Sequence, residues 1–291
     1  MTRVDAASSI RKPEWLRKKV NPGEQTDMLK MLSGLRLNTV CQQALCPNIS
    51  ECFSCGQVTF LILGNNCTRM CAFCNVTKQV PEAVDHQEPS RVAEAVVRLG
   101  LSHVVITSPT RDDLEDGGAG HFAETISSVR DASPKTAVEV LIPDFQGSLQ
   151  ALETVLAAGP DILAHNMETV KRLYHIRSGA DYGRSLELLR RCKELAPAIS
   201  IKSGVMLGMG ETEAELLVLF ADLRRSGCDY LSIGQYLAPS RQHYPVQEYV
   251  TPEQFESLRK SALAAGFAHV ESGPYVRSSY HAALYNQVVS I

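Results

Sequence analysis

Seven of the nine cysteines in this 291-residue chain fall within residues 41–74. They are spaced Cys41-x4-Cys46-x5-Cys52, then Cys55, then Cys67-x3-Cys71-x2-Cys74. Thiolates packed so densely are metal ligands or disulfide partners. Three cysteines on one tight loop can hold three irons of a [4Fe–4S] cube and leave the fourth open to a small molecule. Electron-transfer clusters close that position with a fourth cysteine. A structural zinc site is the competing chemistry, because Cys52-x2-Cys55-x15-Cys71-x2-Cys74 also fits four-cysteine spacing. That choice leaves Cys41, Cys46 and Cys67 unused and hangs the zinc on an apolar strand. The cysteine count is odd and the N-terminus has no apolar signal core, which favours metal ligation in a reducing, cytoplasmic setting over disulfides. The Arg- and Lys-bearing first 20 residues include Asp5 and Glu14 and make a poor transit peptide.

Cys41, Cys46 and Cys52 offer three ligands for a second cluster, with Cys55 as the candidate fourth. The chain around them has the periodicities of an α/β protein. An amphipathic pattern at residues 27–35 and an apolar, β-branched run at 58–63 read as a short helix and a buried strand. Strands at 104–107, 137–142, 161–165, 199–206 and 230–234 then alternate with helices at 91–99, 120–132, 149–158, 185–195 and 213–225. A last helix follows at 252–265. Alternation of this kind argues for a parallel sheet covered on both faces. Six strands fall short of the eight of a closed barrel, so the expectation is a partial (β/α)6 TIM-like barrel. Residues 57–234 form it, and extensions at 1–56 and 235–291 lie over the open mouth.

In such barrels the loops after the strand C-termini build the site, and suspicious residues fall there. Cys67, Cys71 and Cys74 follow the first strand, Thr107 and Ser108 the second, and Asn166 and Glu168 the fourth. Lys202 is a buried-strand lysine in need of a partner. Gly208 and Gly210 permit a close backbone approach to a nucleotide. The run Arg111-Asp112-Asp113 reads as solvated, Glu211 as a helix N-terminal carboxylate, and His165, Cys192 and Cys228 as structural. A net charge of −3 gives no argument for nucleic acid or an anionic membrane. No run of 18 apolar residues suggests a membrane span.

Cys67, Cys71 and Cys74, with Phe73 before the third cysteine, resemble the radical S-adenosylmethionine (SAM) signature. Together with the Cys41, Cys46, Cys52 triplet and Arg277-Ser278-Ser279-Tyr280, they resemble the lipoyl synthase family. The likeness runs from about Arg11 to Tyr280. It implies two [4Fe–4S] clusters. One, on Cys67, Cys71 and Cys74, binds and reductively cleaves SAM. The other, auxiliary, cluster is held by Cys41, Cys46, Cys52 and Ser279, with Ser278 as the fallback, and is consumed as the sulfur donor. Two serines alone would read as a surface turn. Phe73, Thr107, Ser108, Asn166, Glu168 and Lys202 become candidate cofactor contacts. The implied reaction places sulfur at C6 and C8 of an octanoyl-lysine. The implied partners are lipoyl carrier domains (2-oxoacid dehydrogenase E2 subunits and the glycine cleavage H protein), a ferredoxin or flavodoxin, and iron–sulfur carrier proteins. One departure stands out: Pro109-Thr110 replaces the family's Val-Asp after the second strand, which removes an acidic residue. A radical SAM sulfur-inserting enzyme with another acceptor and a non-catalytic zinc-stabilised binding protein are the alternatives.

Overall fold

The computed structural model describes residues 11–18, 26–280 and 282. Residues 1–10, part of the N-terminal stretch read as a poor transit peptide, lie outside them. The chain enters through helix α1 (Thr26–Gly34), whose Met28 and Leu32 are buried. A two-residue strand, β1 (Asn38–Thr39), runs straight into the short helix α2 (Val40–Gln43), and helix α3 (Ile49–Ser54) follows. Strand β2 (Thr59–Leu61) starts the barrel. It is followed by α4 (Glu88–Leu99), β3 (His103–Thr107), α5 (Ala119–Ala132) and β4 (Ala137–Leu141). Next come α6 (Leu149–Ala157), β5 (Ile162–Ala164), α7 (Tyr182–Leu195) and β6 (Ser200–Leu207). The barrel ends with α8 (Glu213–Arg225), β7 (Tyr230–Gln235), α9 (Pro252–Ala264) and β8 (His269–Gly273).

Strands β2 to β8 pair in sequence order, all parallel, and β1 adds antiparallel to the β2 edge, with Asn38 opposite Leu61. No pairing joins β8 to β1 or β2 among the described residues, so the barrel is open along one side. The partial α/β barrel is the architecture the sequence leads one to expect. It carries two strands beyond the six, namely β1 and β8. Only Val270 of β8 is buried, so its polar composition hides a strand that the parallel ladder with β7 nonetheless specifies.

The core lies between sheet and helices. Phe60, Val104, Ile106, Val140, Leu163 and Ile201 are buried with Phe122, Leu189 and Phe220 of the helices. Each such side chain contributes about 1.5–3 kcal/mol relative to exposure. Helices α8 and α9 start with capping boxes at Thr212 and Thr251. No helix among the described residues is long and apolar enough to cross a membrane.

The barrel floor holds a buried charge cluster. Lys202 Nζ donates to Glu139 at 2.9 Å, both side chains are fully buried, and His103 Nε2 lies 3.3 Å from the same carboxylate. Burial alone would raise the Glu139 carboxyl, but Lys202 and His103 outweigh it and hold it below the ordinary range. Lys202 therefore finds its partner inside the sheet. It does not line the cavity at the barrel mouth, where the sequence led one to expect it as a cofactor contact.

Candidate metal centres

The downstream triplet sits on the loop after β2 and is fastened at many points. The backbone N–H groups of Cys67, Thr68 and Ala72 donate to the carbonyls of Thr77, Thr110 and Ile176 at 2.8, 3.0 and 2.9 Å, and Tyr244 N–H donates to the Ala72 carbonyl at 2.9 Å. Thr110, where the family pattern has an acid, thus serves through its carbonyl, which also accepts from the Thr68 hydroxyl. Between the first two cysteines, Arg69 turns inward. Its guanidinium reaches Asp112 at 2.7 and 3.0 Å and Asp144 at 2.6 Å, and Asp144 also accepts from Arg184. Burial would raise the Asp144 carboxyl, yet the Arg69 hydrogen bond and charge bring it down to about 2.

The run expected to be solvated is instead buried at its head. Arg111 is 2 % exposed, donates to the Leu63 and Glu82 carbonyls at 3.0 Å each, and pairs with Asp113. The planar fork satisfies several acceptors at once, which is what lets an arginine go under a strand-end loop.

The upstream triplet is held differently. Cys41 lies in α2, which Thr39 caps, Cys46 in the following turn, and Cys52 in α3. The segment after β8 grips this region. Asn48 Nδ2 donates to the Tyr275 carbonyl at 2.7 Å, and the Tyr280 hydroxyl donates to Glu51 at 3.2 Å. The two adjacent serines diverge. Ser278 donates to Asn166 Oδ1 at 3.1 Å, while Ser279 Oγ accepts from the Thr59 hydroxyl at 2.8 Å. Thr59 also faces the Cys41 thiol and offsets part of the rise that burial imposes on it.

A cavity of about 530 Å³ is lined by Cys41, Cys46, Cys52 and Ser279 together with Thr59, His103 and Arg277, and Ser278 is outside it. Three thiols and one hydroxyl lining one cavity are a donor set that fits a [4Fe–4S] cube. Cys55 is exposed and borders no part of that cavity. Within each triplet the thiols act electrostatically on one another. Burial is the main cause that pushes Cys41 up to about 11 and Cys52 and Cys74 to about 12. Such thiols release their protons on metal binding. No group of three His, Cys, Asp or Glu among the described residues is arranged to hold a single metal ion.

A second, larger cavity of about 1450 Å³ opens at the C-terminal ends of the strands. Phe73 and Cys74 line it from the downstream side, and Cys41, Cys46 and Ser279 from the upstream side. Asn166, Glu168, Gly204 and Val205 form its wall. Asn166 Nδ2 donates to Glu168 at 3.0 Å. Glu168 has a left-handed backbone, φ 63°, and burial raises its carboxyl. Strain of this kind in a non-glycine residue is characteristic of functional sites. Arg177 supports the wall through the Asn166 and Met167 carbonyls at 3.0 and 3.1 Å.

Thr107 and Ser108 do not line this cavity. The Thr107 hydroxyl is spent on the Leu141 carbonyl at 2.8 Å, and the Ser108 hydroxyl is buried without a hydrogen-bond partner among the described residues. The close approach at Gly208, φ 97°, is made by Gln235 and the Glu248 carbonyl, each 2.3 Å from where a Cβ would stand, so no nucleotide is needed to explain it. Glu211 accepts from the backbone N–H groups of Gly208 and Met209. His165 is structural, between the Ile142 carbonyl and Ser185, and burial lowers it to about 4. Cys192 and Cys228 are fully buried. The sequence reading did not single out Thr59, Arg69 or Arg177. Only Arg69, lodged between two cysteines, carried a signal that could have been used.

The Radical SAM superfamily model matches residues 61–223. The chain is 65% identical over 277 residues to the lipoyl synthase of Geobacter metallireducens, spanning 95% of this chain and 98% of that one. It is 67% identical over 276 residues to that of Trichlorobacter lovleyi, spanning 94% and 98%, and 54% identical over 275 residues to that of Alkaliphilus metalliredigens, spanning 94% and 95%. Among solved structures, methylornithine synthase superposes with a TM-score of 0.56 at 14% identity, covering 87% of this chain and 79% of its own, which speaks for the fold alone. Barrel, cysteine loop and near-full-length identity agree, and the chain belongs to the lipoyl synthase family of the radical SAM superfamily.

Proposed function

We propose that this enzyme inserts two sulfur atoms, at C6 and C8 of an octanoyl chain borne on a carrier lysine, and so forms the lipoyl cofactor. The observation that carries the reading is one cavity bordered by cysteines of both triplets, Cys74 from one and Cys41 and Cys46 from the other, because a radical source and a sulfur source must reach the same carbon chain. Cys67, Cys71 and Cys74 would hold one [4Fe–4S] cluster, and Cys41, Cys46, Cys52 and Ser279 the other. When bound, these clusters and SAM supply one-electron cleavage of SAM, hydrogen abstraction from unactivated carbons, and the two sulfurs.

The protein's own part is placement. Asn166 and Glu168, hydrogen-bonded to each other on the cavity wall, present polar groups where SAM would lie, and Phe73 lines the same cavity. Val40, Leu141, Val205 and Val276 give the cavity an apolar lining suited to an alkyl chain. Ser279 provides an oxygen among thiolates, a harder and less firmly held ligand for iron. The Thr59 hydroxyl is already in place to hydrogen-bond that oxygen.

The carriers are E2 lipoyl domains and the H protein. A ferredoxin or flavodoxin supplies electrons, iron–sulfur carriers rebuild the auxiliary cluster, and the reducing cytoplasm is the setting. The test is anaerobic turnover of reconstituted protein with an octanoyl-lysine peptide, SAM and a low-potential reductant, read by mass spectrometry. Expected are a dithiolated product and 5′-deoxyadenosine. Deoxyadenosine without sulfur insertion would point to another acceptor, and stoichiometric zinc without acid-labile sulfide would overturn the reading.

A further inference from the structure

Two arginines drawn into the barrel mouth are matched by carboxylates: Arg69 by Asp112 and Asp144, Arg111 by Asp113. Arg177 is held by carbonyls and the Tyr174 hydroxyl instead, and Arg277 has no carboxylate either. No carboxylate lies within ion-pair distance of it among the described residues, and Nη1 donates only to the carbonyls of Val276 at 2.7 Å and Pro274 at 3.5 Å. Its place is fixed by β7. A Cβ on Gly234 would stand 2.1 Å from the Val276 carbonyl oxygen, so only glycine lets the segment after β8 press onto the strand and carry the guanidinium inward. There Arg277 borders both cavities. A guanidinium partly withdrawn from water without an anion is costly, and Arg277, half-buried, shares both cavities with the Cys46 thiol.

We propose that Arg277 is the counter-charge of the auxiliary centre, a positioning residue that stabilises the anionic cluster and its ligands and raises its reduction potential. The inference rests on the two-cluster reading above. Three thiolates and an alkoxide leave the cluster site negatively charged, and net charge and nearby hydrogen bonds set cluster potentials. A cation bordering the same cavity opposes that charge whether or not Ser279 is bound to iron.

The test uses the full chain with Cys67→Ala, Cys71→Ala and Cys74→Ala, which leaves the auxiliary cluster alone to be titrated anaerobically by electron paramagnetic resonance. Arg277→Gln keeps an amide donor and removes the charge. Arg277→Lys keeps the charge and removes the fork. The glutamine variant should titrate at a more negative potential than its parent and lose iron faster to a chelator, and the lysine variant should recover most of both. Retention of the cluster by the lysine variant alone also supports the inference. An unchanged potential in the glutamine variant, a lysine variant that behaves like it, or loss of the cluster from both would overturn a charge role. If the parent itself assembles no cluster, the two-cluster reading fails and this inference falls with it.

Discussion

The two cysteine triplets are built on opposite principles. The downstream triplet lies on one contiguous loop whose backbone is hydrogen-bonded to three other loops and whose Arg69 is locked between two carboxylates. The upstream site is assembled from α2, α3 and a segment that returns from the far end of the chain. There Ser279 meets Thr59 across 220 positions of sequence. A loop pinned in this way suits a centre that persists through turnover. A site closed by a hydroxyl on a docked segment suits one that is opened and rebuilt. The difference lies in how the ligands are supported rather than in their number.

The largest effect should come from breaking the rigid side. Arg69→Ala leaves Asp144 buried beside Arg184 alone and should cost about 3–5 kcal/mol of stability, the usual penalty for splitting a buried ion pair. Thermal unfolding of the apo protein measures it. Iron analysis should show the downstream cluster lost and the auxiliary one retained. The closing segment is the next target. Gly234→Ala sets a methyl against the Val276 carbonyl and should cost about 1–3 kcal/mol through overpacking. In this variant the auxiliary cluster should be the one lost, as read by Mössbauer spectroscopy. If both clusters go together, the two supports are not independent. The smallest effect is expected of Cys55→Ala. This thiol is exposed and outside the cavity, so stability should stay within about 0.5 kcal/mol and iron content should be unchanged.

Much of the rigid side was legible in the sequence. Strands β2 to β7 announce themselves as apolar, β-branched runs, and the spacing of Cys67, Cys71 and Cys74 names its chemistry. What escaped depends on partners far away in sequence. Lys202 declared that it needed a counter-ion, but Glu139 stands 63 positions off and pointed inward unnoticed. Arg111 and Asp112 looked like solvated charges because residue type alone does not reveal that a guanidinium will be buried under carbonyls. Strand β8 hid behind His269, Glu271 and Ser272, whose polarity suits the open edge rather than a core. The closing hydroxyl of the upstream site was legible only through resemblance, since two serines in a turn have no local pattern to mark one of them as a ligand. Their opposite hydrogen bonds, Ser278 to Asn166 and Ser279 to Thr59, emerge only in the folded chain.

The contrast between a persisting and a consumed centre is tested most directly by counting iron through one turnover. Anaerobically reconstituted protein should begin with about eight irons per chain, the sum of two four-iron cubes. After one equivalent of octanoyl-lysine peptide has been converted, and excess free iron removed, about four should remain, with the spectrum of the downstream cluster. The same experiment on Ser279→Cys, whose thiolate holds iron more firmly, should keep about eight and yield deoxyadenosine with little sulfur insertion. Full lipoyl product with both clusters intact, or an unimpaired Ser279→Cys enzyme, would contradict the division of labour between the two centres.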